Sequence, residues 1–156
     1  MRLLIAAVGR LRTGPEAGLV ADYLDRAGKT GRPIGLGPAT LAEIDDRRGG
    51  GAAAEGEALR RAVPDGAVTV ILDERGRTLS SPDLAGRIAD WRDAGRRDAA
   101  FLIGGADGHD PALRDAADLV LSFGPMVWPH RLARVMLAEQ LYRATAILAG
   151  TPYHRD

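Results

Sequence analysis

Cysteine is absent from the 156 residues of this chain, so disulfide bonds, thiolate metal sites and cysteine nucleophiles are excluded. Charge of one sign is not in excess, because 21 lysine and arginine residues balance 21 aspartate and glutamate residues. A chain without net charge has no general basic field that would attract nucleic acid. Long apolar runs are also missing, and the run from Leu3 to Val8 is too short for a signal peptide. We therefore expect a cytoplasmic protein that does not enter a membrane.

The length predicts a single domain over residues 1–156, large enough to bury roughly 70% of the surface that its unfolded chain exposes. Short apolar runs bounded by Gly or Asp are typical of strands that are buried on both faces. Four such runs occur, at residues 2–8, 67–73, 98–105 and 118–122.

Helix-start signals lie between these strands. Ser81-Pro82-Asp83 predicts an N-cap at Ser81, a proline in the first turn and a helix that continues to about Gly95. Asp110-Pro111 repeats the same signal before a short helix. Strands that alternate with helices predict an α/β domain with a mostly parallel sheet and helices on both faces.

A long final helix is predicted from about Arg131 to Leu148. It carries two apolar stripes at helical spacing, which are Ala133, Leu137, Leu141, Ala144, Leu148 and Leu132, Val135, Met136, Tyr142, Ala146. A helix that is apolar on two sides needs two partners, so we expect one to be its own sheet and the other a second copy of the protein. Glu139 and Arg143 stand four residues apart, which is the spacing of a helical ion pair.

Residues 28–56 are rich in glycine and are expected to be mobile or poorly regular. They do not contain a nucleotide-binding motif. The GKT at 28–30 lacks the glycine of a phosphate loop five positions earlier, where Tyr23 stands. The GLG at 35–37 lacks the third glycine of a dinucleotide fingerprint, whose place is taken by Thr40.

Metal binding is not expected either. The three histidines, His109, His130 and His154, lie far apart in the sequence. None has another histidine four residues away, which is the spacing of a zinc pair on a helix.

Three loops that follow predicted strands carry unusual chemistry. They are DERGR at 73–77, GGADG at 104–108, and FGPMVWPH at 123–130. In an open parallel sheet, ligands bind at the carboxyl ends of the strands. Each loop alone also fits a tight turn or ordinary loop packing. Together they predict an apolar slot lined by backbone, suited to an adenine ring and a methionine chain rather than to a triphosphate.

The segments LDERG, LIGGADG, WPHRLARVMLAEQLYRA and the closing PYHR resemble the RlmH family, SPOUT-class enzymes that methylate N3 of a pseudouridine in 23S ribosomal RNA. The resemblance covers most of the chain. It implies a C-terminal trefoil knot, S-adenosylmethionine as cofactor, and a homodimer whose active site is completed by the second subunit. It assigns cofactor binding to Leu72, Gly104, Gly105, Phe123, Gly124, Pro125, Met126, Val127 and Trp128.

Methylation of a uracil-like N3 must accommodate loss of its proton, and histidine is the side chain best matched to that task near neutral pH. His154 is the first candidate and His130 the second, although His130 also fits a helix cap. Tyr153 can stack on a base, and Arg155 can hold a phosphate. The complete set of candidates is His154, His130, Arg134 and Tyr153 for catalysis, and Arg143, Arg155 and Glu139 for substrate binding.

Zero net charge predicts weak binding of naked RNA, so we expect the substrate to be 23S ribosomal RNA within the ribosome or its large subunit. Two alternatives remain open at this stage. One is a SPOUT methyltransferase that acts on another RNA, such as transfer RNA. The other is a ribosome-associated binding protein without catalysis.

Overall fold

The computed structural model describes residues 1–45 and 50–155. Within them a sheet of five parallel strands has the order β2-β1-β4-β3-β5. The strands are β1 (Arg2–Val8), β2 (Ala39–Ile44), β3 (Val68–Thr78), β4 (Asp98–Ile103) and β5 (Leu119–Ser122). The helices are α1 (Pro15–Gly31), α2 (Gly51–Ala62), α3 (Ser81–Asp93), α4 (Pro111–Asp115) and α5 (His130–Leu148), with a 3₁₀ turn at Arg32–Ile34.

The central strand β4 is buried on both faces, and its alternating side chains enter two separate cores. Phe101 packs in the larger core, with residues of α1, α3 and α5. Leu102 packs in the smaller core, with residues of α2 and α4. The predicted α/β fold with helices on both faces of a parallel sheet is therefore confirmed.

Strand β3 is longer than predicted, because it continues beyond Asp73 to Thr78. Its pairing with β5 is interrupted between Leu72 and Arg77 and then resumes. Gly76 lies in this interruption, and a Cβ there would be 2.7 Å from the backbone of β5. Glycine thus permits the close approach of the two chains. The threading of a trefoil knot stays a prediction.

Helix α3 is capped one residue earlier than predicted. The N-cap is Ser80 rather than Ser81, because the Ser80 hydroxyl accepts the Asp83 amide and the Asp83 carboxylate accepts the Ser80 amide. This reciprocal pair is a capping box. The predicted N-cap at Asp110 is confirmed, since its carboxylate accepts the Ala112 amide.

The expectation for residues 28–56 is wrong for most of the described part. Helix α1 continues to Gly31, β2 pairs with β1, and α2 begins at Gly51, while residues 46–49 lie outside the described residues. A Cβ at Gly31 would be 2.7 Å from the Leu36 carbonyl oxygen. Glycine is needed there for close packing of the chain on itself, not for mobility.

Arg134, a catalytic candidate from the sequence, lies inside the protein. It is 2% exposed, and burial lowers the pKa of its guanidinium. Its Nη1 is 2.9 Å from the Glu43 carboxylate, and its Nη2 donates to the carbonyl oxygens of Val8 and Gly9 at 2.9 and 3.1 Å. Arg134 therefore ties the start of α5 to the ends of β1 and β2.

We predict that Glu43→Gln lowers the free energy of unfolding by about 2–3 kcal/mol, because it leaves a buried guanidinium without its counter-charge. Urea unfolding at neutral pH measures the change. The matched control is Asp22→Asn, which removes a carboxylate from an exposed ion pair with Arg26 and should leave stability unchanged. Equal effects of the two variants would contradict a stabilising role for the internal pair.

Candidate functional site

A cavity of about 380 Å³ lies where the interruption in β3 meets the carboxyl ends of β4 and β5. All three loops predicted from the sequence line it. The structure brings together Leu72, Gly104, Gly105, Phe123, Gly124, Met126, Val127 and Trp128. Pro125 belongs to the same loop but is not part of the lining. His130 also lines this cavity, at the first residue of α5.

His109 fixes the glycine loop and lies beside Leu72, and sequence reasoning considered it only as a metal ligand. The ring is 7% exposed, and its Nε2 accepts the Gly104 amide at 3.1 Å. The same atom lies 3.1 Å from the Leu72 carbonyl oxygen. Accepting the amide proton requires a neutral ring, and burial lowers the pKa of His109 in agreement with that.

The segment that follows Leu72, in the interruption of β3, is fixed by the buried carboxylate of Asp73. Asp73 accepts hydrogen bonds from the Arg75 amide and from Arg75 Nε, both at 2.9 Å, and Arg114 lies 3.8 Å away. Burial alone would raise the pKa of Asp73, but the hydrogen bonds from Arg75 hold it below its ordinary value. Asp73 is therefore a charged group that already has its partners.

The two loop glycines are closely surrounded. A Cβ at Gly104 would be 2.9 Å from the Gly108 carbonyl oxygen. A Cβ at Gly105 would be 2.5 Å from Glu55 Oε2, on α2. The Glu55 carboxylate therefore occupies the place that a side chain at position 105 would take.

The third loop exposes apolar side chains. Met126 is 68% exposed and Val127 82% exposed, beside a half-exposed Trp128. Exposed apolar groups that adjoin a cavity are typical of a ligand or partner surface.

The C-terminal tail is packed against α5 through Glu139. The predicted ion pair is confirmed, with Arg143 Nη2 2.6 Å from Glu139 Oε1. The Tyr153 hydroxyl donates to the same oxygen at 3.0 Å, and burial followed by this bond raises the pKa of Tyr153. Arg143 also lies 4.8 Å from the centre of the Tyr153 ring and 3.3 Å from His154 Nδ1.

His130 and His154 belong to different ends of α5. Arg143, which contacts His154, follows His130 by 13 residues of helix, or about 20 Å along the axis. Within the described chain the tail does not line the 380 Å³ cavity. It adjoins a second cavity of about 460 Å³, whose lining includes Tyr23, Glu139 and Phe123. One copy of the chain therefore brings His130, but not His154, to the three loops.

The described residues contain no group of three or more His, Cys, Asp or Glu side chains that could hold a metal ion. Across the same residues, no helix is long and apolar enough to span a membrane.

We predict that the free energy of unfolding of the wild-type protein falls by up to about 1.4 kcal/mol per pH unit as the pH drops below about 6.5. His109 is the residue that causes this loss. The reason is that the unfolded chain takes up a proton on this residue while the folded chain resists it. His109→Gln keeps a neutral acceptor for the Gly104 amide and removes the titration. Urea unfolding at pH 7.5 and 5.5 should show a smaller difference in the variant, and an identical difference would exclude His109 as the cause.

Comparison with known proteins is consistent with this geometry. Residues 1–154 match the family described as "Predicted SPOUT methyltransferase". The chain is 69% identical over 156 residues to the ribosomal RNA large subunit methyltransferase H of Paracoccus denitrificans, with all of both chains covered. It is 66% identical over 155 residues to the protein of the same name from Dinoroseobacter shibae, with 99% of each chain covered. The protein from Roseobacter denitrificans with this name is 64% identical over 156 residues, again with full coverage. The chain with this three-loop cavity therefore belongs to the SPOUT methyltransferase family.

Proposed function

We propose that this protein transfers a methyl group from S-adenosylmethionine to N3 of a pseudouridine in 23S ribosomal RNA. The observation that carries the proposal is the cavity in which the interruption in β3 and the loops after β4 and β5 meet. The names of the relatives, which are ribosomal RNA large subunit methyltransferases, support the substrate. N3 of pseudouridine is the position implied by the resemblance of the sequence motifs.

The residues of the cavity fit this cofactor. Gly104 and Gly105 offer backbone rather than side chains, which lets a ligand lie directly against N–H and C=O groups. Phe123, Met126 and Trp128 supply apolar surface for the ring and the methionine chain. When bound, the cofactor supplies an electrophilic methyl group. The loops hold its position, and alignment alone can contribute several kcal/mol to catalysis.

A homodimer would complete the active site. The tail of one chain contacts Glu139, which lines a different cavity from the one that the three loops line. The exposed Met126 and Val127 give a second copy an apolar surface to cover beside the cavity. We propose that the partner's tail meets this cavity and that the two together bind the RNA.

His154 is then the group that receives or orients the N3 proton, with His130 as the second candidate. Glu139 holds Arg143 and Tyr153, and Arg143 in turn contacts His154. The raised pKa of Tyr153 keeps its hydroxyl protonated, so it acts as a donor and a surface for stacking rather than as a base. Arg155 is exposed and free to approach a phosphate.

An assembled ribosome or large subunit is the proposed substrate, because a chain without net charge must rely on shape and a few contacts. Mass mapping of RNA nucleotides from a deletion strain tests this choice. Loss of one N3-methylated pseudouridine from 23S RNA supports it, whereas loss of a transfer RNA modification would contradict it. Calorimetry with S-adenosylmethionine separates an enzyme from a binding protein without catalysis.

We predict that His154→Ala lowers the single-turnover rate of methylation by about 10²–10⁴-fold at saturating cofactor. Arg155→Ala should weaken substrate affinity and soften its salt dependence while the rate at saturation is kept. The assay uses ribosomes or subunits that lack the modification. Arg61→Ala, an exposed arginine on α2, is the control. A normal rate for His154→Ala would move the proton-handling role to His130.

If each active site combines the cavity of one subunit with the tail of the other, two inactive variants should complement each other. We call this arrangement the composite site. Gly105→Leu should abolish cofactor binding, and His154→Ala should abolish the proton-handling step. Subunits mixed and reassembled in equal amounts should recover about a quarter of wild-type activity, because half of the dimers then contain one intact composite site. Methylation after mixing, with dimer formation followed by sedimentation, is the measurement. Zero recovery despite exchange of subunits would show that each chain builds its own site.

A further inference from the structure

Helix α2 packs directly on the glycine loop of the cavity. A Cβ at Gly56 would be 2.9 Å from the Asp110 Cβ, so the helix approaches the end of this loop closely. Arg60 reinforces the contact with a guanidinium nitrogen 3.6 Å from the Asp110 carboxylate. Glu55, which directly precedes Gly56 in the helix, points at Gly105. Its two carboxylate oxygens are 2.5 and 2.8 Å from the place where a Cβ of Gly105 would be.

Among the residues that the structure describes, one oxygen of the Glu55 carboxylate has no partner. Its Oε2 is inaccessible to solvent and has no hydrogen-bond partner. The neighbouring buried acid, Asp73, is paired with Arg75, so it contributes little uncompensated charge. A carboxylate oxygen that is removed from water without a partner raises the free energy of the folded protein. A cation bound nearby would offset that cost.

We propose that Glu55 is a specificity-determining residue that favours the cationic methyl donor over the neutral product. This inference rests on the proposed function, because S-adenosylmethionine carries a sulfonium cation that S-adenosylhomocysteine lacks. The backbone of Gly105 lines the cavity on one side and contacts Glu55 on the other. The Gly105 backbone thus lies between the Glu55 carboxylate and the cavity, and the buried Oε2 is the oxygen whose charge water screens least.

Loss of the methyl group removes the positive charge of the ligand and with it the attraction to Glu55. The other carboxylates of the lining differ from Glu55, because Asp73 is paired with Arg75 and both Glu74 and Asp107 are exposed to water, which screens their charge. The charge of Glu55 would therefore strengthen binding of the donor and leave binding of the product nearly unaffected. This difference limits inhibition by the product.

The test compares the dissociation constants of S-adenosylmethionine and S-adenosylhomocysteine by calorimetry. We expect Glu55→Gln to weaken binding of the cationic ligand about 5- to 10-fold and that of the neutral ligand less than about twofold. Glu57→Gln is the matched control, because it removes the same charge from the same helix at a solvent-exposed pair with Arg60. It should change neither constant. Thermal unfolding confirms that each variant is folded.

An equal loss for both ligands, or no loss, would overturn the proposal, since a role confined to loop shape does not distinguish charge. If the wild-type protein binds neither ligand, the proposed function itself fails, which is a separate result. A second pair of variants tests the geometry. Gly105→Ala should weaken S-adenosylhomocysteine binding, and much of that loss should disappear in the Glu55→Ala background. A loss of the same size in both backgrounds would show that Glu55 is not against the loop and would also overturn the proposal.

Discussion

The parallel direction of the strands is the constraint on which the rest of the site depends. Because β3, β4 and β5 run the same way, the interruption in β3 lies beside the loops that follow β4 and β5 at one edge of the sheet. Residues distant in sequence are thereby brought into one cavity, and His109 fixes the loop after β4 by accepting the Gly104 amide. Arg134 does the same at the end of β1, where it joins that strand to β2 and α5.

The glycines at this edge of the sheet let other parts of the chain approach the backbone closely, and flexibility is not their role. Gly76 admits the backbone of β5, Gly104 admits Gly108, and Gly105 admits a carboxylate. Each contact removes space that a side chain would otherwise fill, so the cavity is bounded by backbone. A ligand held in this way is recognised by shape and by a few hydrogen bonds. A charge behind the backbone can then discriminate between ligands of the same shape.

Much of the fold could be predicted from the sequence, because β1, β4 and β5 are uninterrupted apolar runs and α5 has a sustained helical period. Strand β2 was missed since ATLAEI is a half-buried edge strand without such a run. The cavity could be predicted from strand ends, whereas the burial of Arg134 could not. Its partners Glu43 and Val8 are 91 and 126 residues away in the chain, and no local pattern reports a contact of that separation.

The separation between the cavity and the tail explains how a chain of zero net charge can act on a polyanion. Glu139 holds Arg143 of α5 and Tyr153 of the tail through hydrogen bonds, so the geometry of both side chains is fixed within the protein. Preorganised contacts lose less conformational entropy on binding than flexible basic segments do. If a second copy brings this tail to the loops, the protein presents cofactor and substrate contacts from opposite sides of one target nucleotide. Recognition then depends on the shape of the folded RNA more than on a long-range electrostatic field.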